Sequence, residues 1–113
     1  MAPVWTPWFY LTIAILFEVA GTASMKLSKG FAELAPSVAV FVFYFAAVAA
    51  LVLALKRLEL SIAYAVWSAL GTAVTAVIGF AYFREPITAI KLGSLALVIV
   101  GVTGLILASR PAA

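Results

Sequence analysis

Phe9-Tyr10-Leu11-Thr12-Ile13-Ala14-Ile15-Leu16-Phe17-Glu18-Val19-Ala20-Gly21-Thr22 is an apolar stretch with a single carboxylate, Glu18, well inside it. It belongs to a longer apolar run over residues 4–25. At 1.5 Å per residue such a run makes a helix of about 33 Å, enough to cross a hydrocarbon core of about 30 Å with some tilt. Three similar runs follow, over residues 34–55, 60–83 and 87–108. The spacing predicts an all-α membrane protein with four transmembrane helices in one domain, residues 1–113.

The composition agrees with that reading. The chain of 113 residues is 67% hydrophobic and 10% charged, against roughly 25% charged for soluble domains. Without cysteine or histidine it has no disulfide, thiolate metal site or Ser-His or Cys-His nucleophile pair. Nothing calls for a metal or any other cofactor. Its net charge of +3 comes from residues scattered between the apolar runs, not from a patch that would hold nucleic acid. No phosphate-cradling loop appears, and an enzyme is not expected. The first run lacks a basic leader and is too long for the core of a cleaved signal peptide.

The breaks between runs are Lys26-Leu27-Ser28-Lys29-Gly30-Phe31-Ala32-Glu33, Lys56-Arg57-Leu58-Glu59 and Arg84-Glu85-Pro86. Gly30 supplies a permissive backbone after the first helix, and Pro36 and Pro86 stand near helix starts. Trp5, Trp8 and Tyr10 read as interfacial aromatics, and Lys91 as a snorkelling cation. Four spans put Lys56, Arg57 and Arg110 on one side and Lys26, Lys29, Arg84 and Lys91 on the other. This near balance gives the positive-inside rule little to act on and permits insertion in both orientations. An antiparallel homodimer then becomes possible. Ser94, Gly101 and Ala108 recur every seven residues on the fourth helix, and small residues on one stripe let helices approach closely in lipid.

An ionised carboxylate at membrane depth costs at least ~2.5 kcal/mol and is tolerated where it faces a cavity or a partner. Burial favours the protonated form of a carboxyl, so Glu18 is a candidate proton site; the alternative is a carboxyl that only bonds helices together. Ala14, Gly21 and Thr22 lie three or four residues from it and leave room for a ligand or for close packing. On the third run Tyr64, Trp67, Ser68 and Gly71 share a helical face at i, i+3, i+4 and i+7. Tyr64 and Trp67 are too deep for an interfacial belt. Their rings suit either packing or a cation that Glu18 would neutralise. Tyr44, on the second run, is a third polar-tipped aromatic at depth.

These pieces together resemble the small multidrug resistance family over essentially the whole chain. The matching residues are Phe17-Glu18-Val19-Ala20-Gly21-Thr22 with Met25-Lys26, Gly30-Phe31 with Pro36-Ser37, and Ala63-Tyr64-Ala65-Val66-Trp67-Ser68. The resemblance implies a four-helix protomer, an antiparallel, dual-topology homodimer in the bacterial inner membrane, and export of small cations in exchange for protons. It implies Glu18 as the proton and substrate site and Tyr64 and Trp67 as pocket walls, with Tyr44, Ala14, Ile15, Thr22 and Trp8 beside them. Gly21 stands where the guanidinium-exporting branch usually has tryptophan, which favours the branch that exports quaternary ammonium and other lipophilic cations. The sequence departs from the family's common Gly-x-Gly at Ala69-Leu70-Gly71, and Ser94 replaces the first of two spaced glycines. A guanidinium or polyamine exporter, a transporter needing a non-identical partner, and a non-transporting assembly subunit are the alternatives.

Overall fold

The computed structural model describes residues 5–108. It contains four helices, α1 (Thr6–Leu27), α2 (Leu34–Ala54), α3 (Leu60–Ala81) and α4 (Ala89–Ala108), and no strand among the described residues. Each has at least 20 residues, a length of about 30 Å or more, and each is apolar enough to cross a membrane. The two less apolar helices are α1 and α3, which carry most of the polar candidates. Val4 and Arg110 lie outside the described residues.

The helix ends follow local chemistry rather than hydropathy. The first helix runs through Lys26, whose cation falls in the last turn, where the carbonyl end of the helix favours positive charge. In the connection beyond it, Ser28 is buried; its hydroxyl donates to the Met25 carbonyl at 2.7 Å and accepts from the Phe31 N–H at 3.2 Å. Lys29, Gly30 and Phe31 all have left-handed backbone, with φ of 51°, 69° and 68°. Only the glycine takes this conformation without a steric penalty; the Ser28 bonds hold the turn that its neighbours must share.

The third and fourth helices are shorter than their apolar runs. Helix α3 stops at Ala81 and α4 starts at Ala89. Pro86 disfavours helical backbone at the residue before it, and Arg84 turns the chain with φ of 57°. Thr88 caps α4, its Oγ1 accepting from the Lys91 N–H at 3.1 Å, the bond that satisfies an otherwise orphaned helix-start donor. Hydropathy carries no trace of this cap, because Ile87 is as apolar as the helix it precedes.

The chain divides into two compact units, one ending at Leu58 and the other beginning at Glu59. In the first, α1 packs along α2, with Phe17 and Phe43 stacked at 6.1 Å and 29°. Gly21 is buried there, and a Cβ at its position would lie 3.2 Å from two ring carbons of Tyr44. In the second, α3 packs against α4 more sparsely. Val102 is the only buried residue of α4, so nearly all of that apolar helix is uncovered.

Candidate functional site

Glu18 lies on α1, half-buried, one helical turn before Thr22. Thr22 Oγ1 donates to Glu18 Oε1 at 2.9 Å and lies 2.6 Å from the Tyr44 hydroxyl of α2. The threonine has one hydroxyl hydrogen, and giving it to the carboxylate leaves its oxygen as acceptor. The chain therefore runs in one direction: Tyr44 donates to Thr22, and Thr22 donates to Glu18. The other carboxylate oxygen, Oε2, has no hydrogen-bond partner among the described residues.

Gly21 makes this link possible. Its missing side chain lets the Tyr44 ring lie against the α1 backbone, which brings the hydroxyl within reach of the next residue, Thr22. Met25 Sδ lies 3.8 Å from the same hydroxyl and is an alternative acceptor for its single hydrogen, a weak one because it is a thioether.

The other proposed pocket residues have varied settings. Ala14 is fully buried and Ile15 nearly so, both within packing. Trp8 is half-buried near the start of α1, and its carbonyl accepts from Thr12 Oγ1 at 2.9 Å. On α3, Tyr64 and Trp67 meet edge to face with centroids 5.3 Å apart and an interplanar angle of 62°. Tyr64 is 58% exposed and Ser68 is exposed. Trp67 Nε1 is buried without a hydrogen-bond partner among the described residues. Ser94 and Gly101 line clefts between α3 and α4, and no atom lies within 4 Å of a Cβ built at Gly101. Ala108 is exposed at the helix end.

Spacing along one helix cannot reveal that Tyr44 bonds to Thr22, since the link joins two helices. A usable signal was present all the same: Gly21 offers the one gap beside Glu18, and Tyr44 is the only tyrosine of α2. Nothing in the sequence pattern marks Met25 as a competing acceptor.

Four membrane-length apolar helices, one carrying a half-buried carboxylate that accepts from the Thr22 hydroxyl, define a multi-pass membrane protein. Residues 6–98 match the model of the Small Multidrug Resistance protein family, and the chain belongs to that family. It is 45% identical over 93 residues to the multidrug resistance protein EbrB of Bacillus subtilis, covering 82% of this chain and 80% of that one. The quaternary ammonium compound-resistance protein QacC of Staphylococcus aureus is 39% identical over 104 residues, or 88% of this chain and 92% of that one. A guanidinium exporter of Yersinia pestis is 39% identical over 102 residues, covering 90% and 98%. The protein is a small-molecule efflux transporter that handles small cationic substrates, and it is not an enzyme.

Proposed function

We propose that the protein exports lipophilic and quaternary ammonium cations in exchange for protons, with both competing for Glu18. The observation that carries the proposal is the asymmetry of that carboxylate. Thr22 holds Oε1, while Oε2 has no partner among the described residues and can take either a proton or the charge of a cation. Loading one releases the other, and the proton gradient drives export. The exposed ring of Tyr64 and the indole ring that meets it edge to face suit Tyr64 and Trp67 as walls for an aromatic or quaternary cation, which binds to π faces. Tyr44, Thr22, Ala14, Ile15, Trp8 and Ser68 complete the proposed pocket.

Alternating access needs two related halves, and one copy of this chain has no internal repeat. An antiparallel homodimer supplies them from a single sequence, and the whole chain acts in it as one transport domain. The uncovered stripe of Ser94, Gly101 and Ala108 supports close contact between fourth helices of two copies.

Uptake of a quaternary ammonium ion into proteoliposomes bearing a pH gradient tests the mechanism. Glu18→Gln cannot ionise, so proton-driven uptake is expected to vanish; uptake that persists overturns the proposal. Export of guanidinium is the second reading, favoured by the similarity to a guanidinium exporter. Solid-supported-membrane currents against guanidinium, small quaternary ammonium and bulky aromatic cations separate the two. Gly21 favours the first reading, since it stands where the guanidinium-exporting branch usually has tryptophan.

A further inference from the structure

Met25 places an oxidisable sulfur beside the Tyr44–Thr22–Glu18 relay. It stands one helical turn after Thr22 on α1 and is 46% exposed. Its carbonyl accepts from the buried Ser28 hydroxyl at 2.7 Å, which fixes the backbone from which the side chain starts. Its sulfur lies 3.8 Å from the Tyr44 hydroxyl, and that hydroxyl lies 2.6 Å from Thr22 Oγ1. Two acceptors on one helix thus flank a single tyrosine hydrogen. Thr22 takes it, because a hydroxyl oxygen accepts far better than a thioether sulfur.

That order depends on the oxidation state of the sulfur. We infer that Met25 is a redox-sensitive modification site through which a peroxide weakens cation binding, an inference that rests on the reading of Glu18 as the cation site. The thioether sulfur attacks one peroxide oxygen, and the O–O bond breaks as the S–O bond forms. The departing hydroxide takes the proton of the transferred oxygen and leaves as water. Sulfur is oxidised by two electrons and the peroxide is reduced by two. The product is a polar sulfoxide, which enzymes reduce back to the thioether, so the change is reversible.

The sulfoxide oxygen carries much of the negative charge of a polarised S–O bond and accepts strongly. Attached to a sulfur 3.8 Å from the Tyr44 hydroxyl, it can stand within the ordinary O–H···O range of about 2.5–3.0 Å. The tyrosine has one hydrogen to give. Given to the sulfoxide, it is lost to Thr22, whose hydroxyl keeps only its own donation to Glu18 Oε1. The carboxylate then loses its brace from α2, as it would in Tyr44→Phe. Oxidation at Met25 in this way acts on a site two helical turns away without altering Glu18.

Calorimetric binding of tetraphenylphosphonium to the protein in nanodiscs, before and after hydrogen peroxide, tests the inference, with mass spectrometry confirming one added oxygen on the peptide that contains Met25. The native protein is expected to lose about fivefold in affinity, the worth of one neutral hydrogen bond, and to regain it on treatment with methionine sulfoxide reductase. Met25→Leu, a swap of similar volume, should bind as the native protein does and ignore peroxide. The chain has no cysteine, and its other methionine, Met1, remains in that variant, so oxidation elsewhere would show there. Oxidised Tyr44→Phe should be no weaker than the same variant before oxidation. Unchanged affinity in fully oxidised native protein overturns the inference, as does an equal loss in Met25→Leu or a further fivefold loss in Tyr44→Phe. Glu18→Gln in the same calorimetry, without peroxide, tests the underlying reading by itself: native affinity there would show that Glu18 does not hold the cation. The Tyr44 Cζ chemical shift, assigned by its absence in Tyr44→Phe, separates the two failures, since it should move on oxidation of Met25 whether or not Glu18 holds the cation; a shift that does not move overturns the inference.

Discussion

Gly21→Ala is the sharpest test of how the site is built. The added methyl would lie 3.2 Å from Cδ2 and Cε2 of Tyr44 and 3.4 Å from Phe43 Cβ. Carbon atoms rest at about 3.5–4.0 Å, so the ring must retreat by about 0.3–0.8 Å. The Tyr44 to Thr22 bond begins at 2.6 Å, and a retreat of that size stretches it to about 3 Å or beyond, the outer edge for paired hydroxyls. Losing it costs about 1 kcal/mol, or about fivefold in affinity for a cation that depends on the aligned carboxylate. Stability is the wrong readout, because alanine gains about 1 kcal/mol over glycine within a helix and offsets the packing strain. The assay is calorimetric binding of tetraphenylphosphonium to the protein in nanodiscs at one pH, for Gly21→Ala, Tyr44→Phe and the double variant. Each single change is expected to weaken binding about fivefold, and the double variant should be no weaker than Tyr44→Phe alone. Penalties that multiply to about 25-fold would refute the argument, as they would mean that Gly21 acts independently of the Tyr44 hydroxyl.

Further outcomes follow from the same geometry. Thr22→Ser keeps the hydroxyl and should bind cations within about twofold of the native protein, whereas Thr22→Val removes both bonds of the relay and should lose about tenfold, read by the same calorimetry. Trp67→Phe removes an N–H that has no partner among the described residues, so stability to chemical denaturation in detergent should change by less than about 1.5 kcal/mol, the usual limit for a tolerated apolar swap. Affinity for an aromatic cation should nevertheless fall about two- to fivefold, because indole is the stronger cation-binding face. Gly30→Val places a β-branched residue at φ of 69° and should destabilise the α1–α2 unit by about 1–2 kcal/mol, seen as earlier unfolding in a denaturant series.

What the sequence made legible follows from which forces act along one helix and which act between helices. Length and apolarity specify a membrane span without reference to any neighbour, so the four helices could be read from the chain, as could Glu18 as the residue needing a reason. Helix ends were less legible. Thr88 caps α4 with a single hydrogen bond, a local effect buried within a long apolar run. The relay was the hardest to see. Tyr44 stands out only as a polar-tipped aromatic, and its bond to Thr22 depends on the register of α2 against α1, which the gap at Gly21 sets. Lys26 shows another limit: by hydropathy it belongs to the break after the first run, yet it lies in the last turn of α1, where the carbonyl end of the helix favours a cation.

The direction of the relay also bears on how proton and cation could exchange. With Thr22 donating to Oε1, a proton arriving at Oε2 leaves Oε1 as a carbonyl-like acceptor, and the threonine bond survives. A cation replacing that proton again leaves Oε1 accepting the same hydrogen. Neither Thr22 nor Tyr44 has to turn over its hydroxyl in either step, so the swap needs no rearrangement of the α1–α2 contact. Competition on this account belongs to one oxygen atom, and the two hydroxyls hold the other still. It follows that Thr22→Val should weaken cation binding but leave the two cargoes exclusive, because one proton on either oxygen neutralises the whole carboxyl group. In proteoliposomes the variant should transport a quaternary ammonium ion more weakly, yet hold a pH gradient without substrate as well as the native protein does. Faster collapse of the gradient would show that the hydroxyl on Oε1 is itself what keeps the two cargoes exclusive.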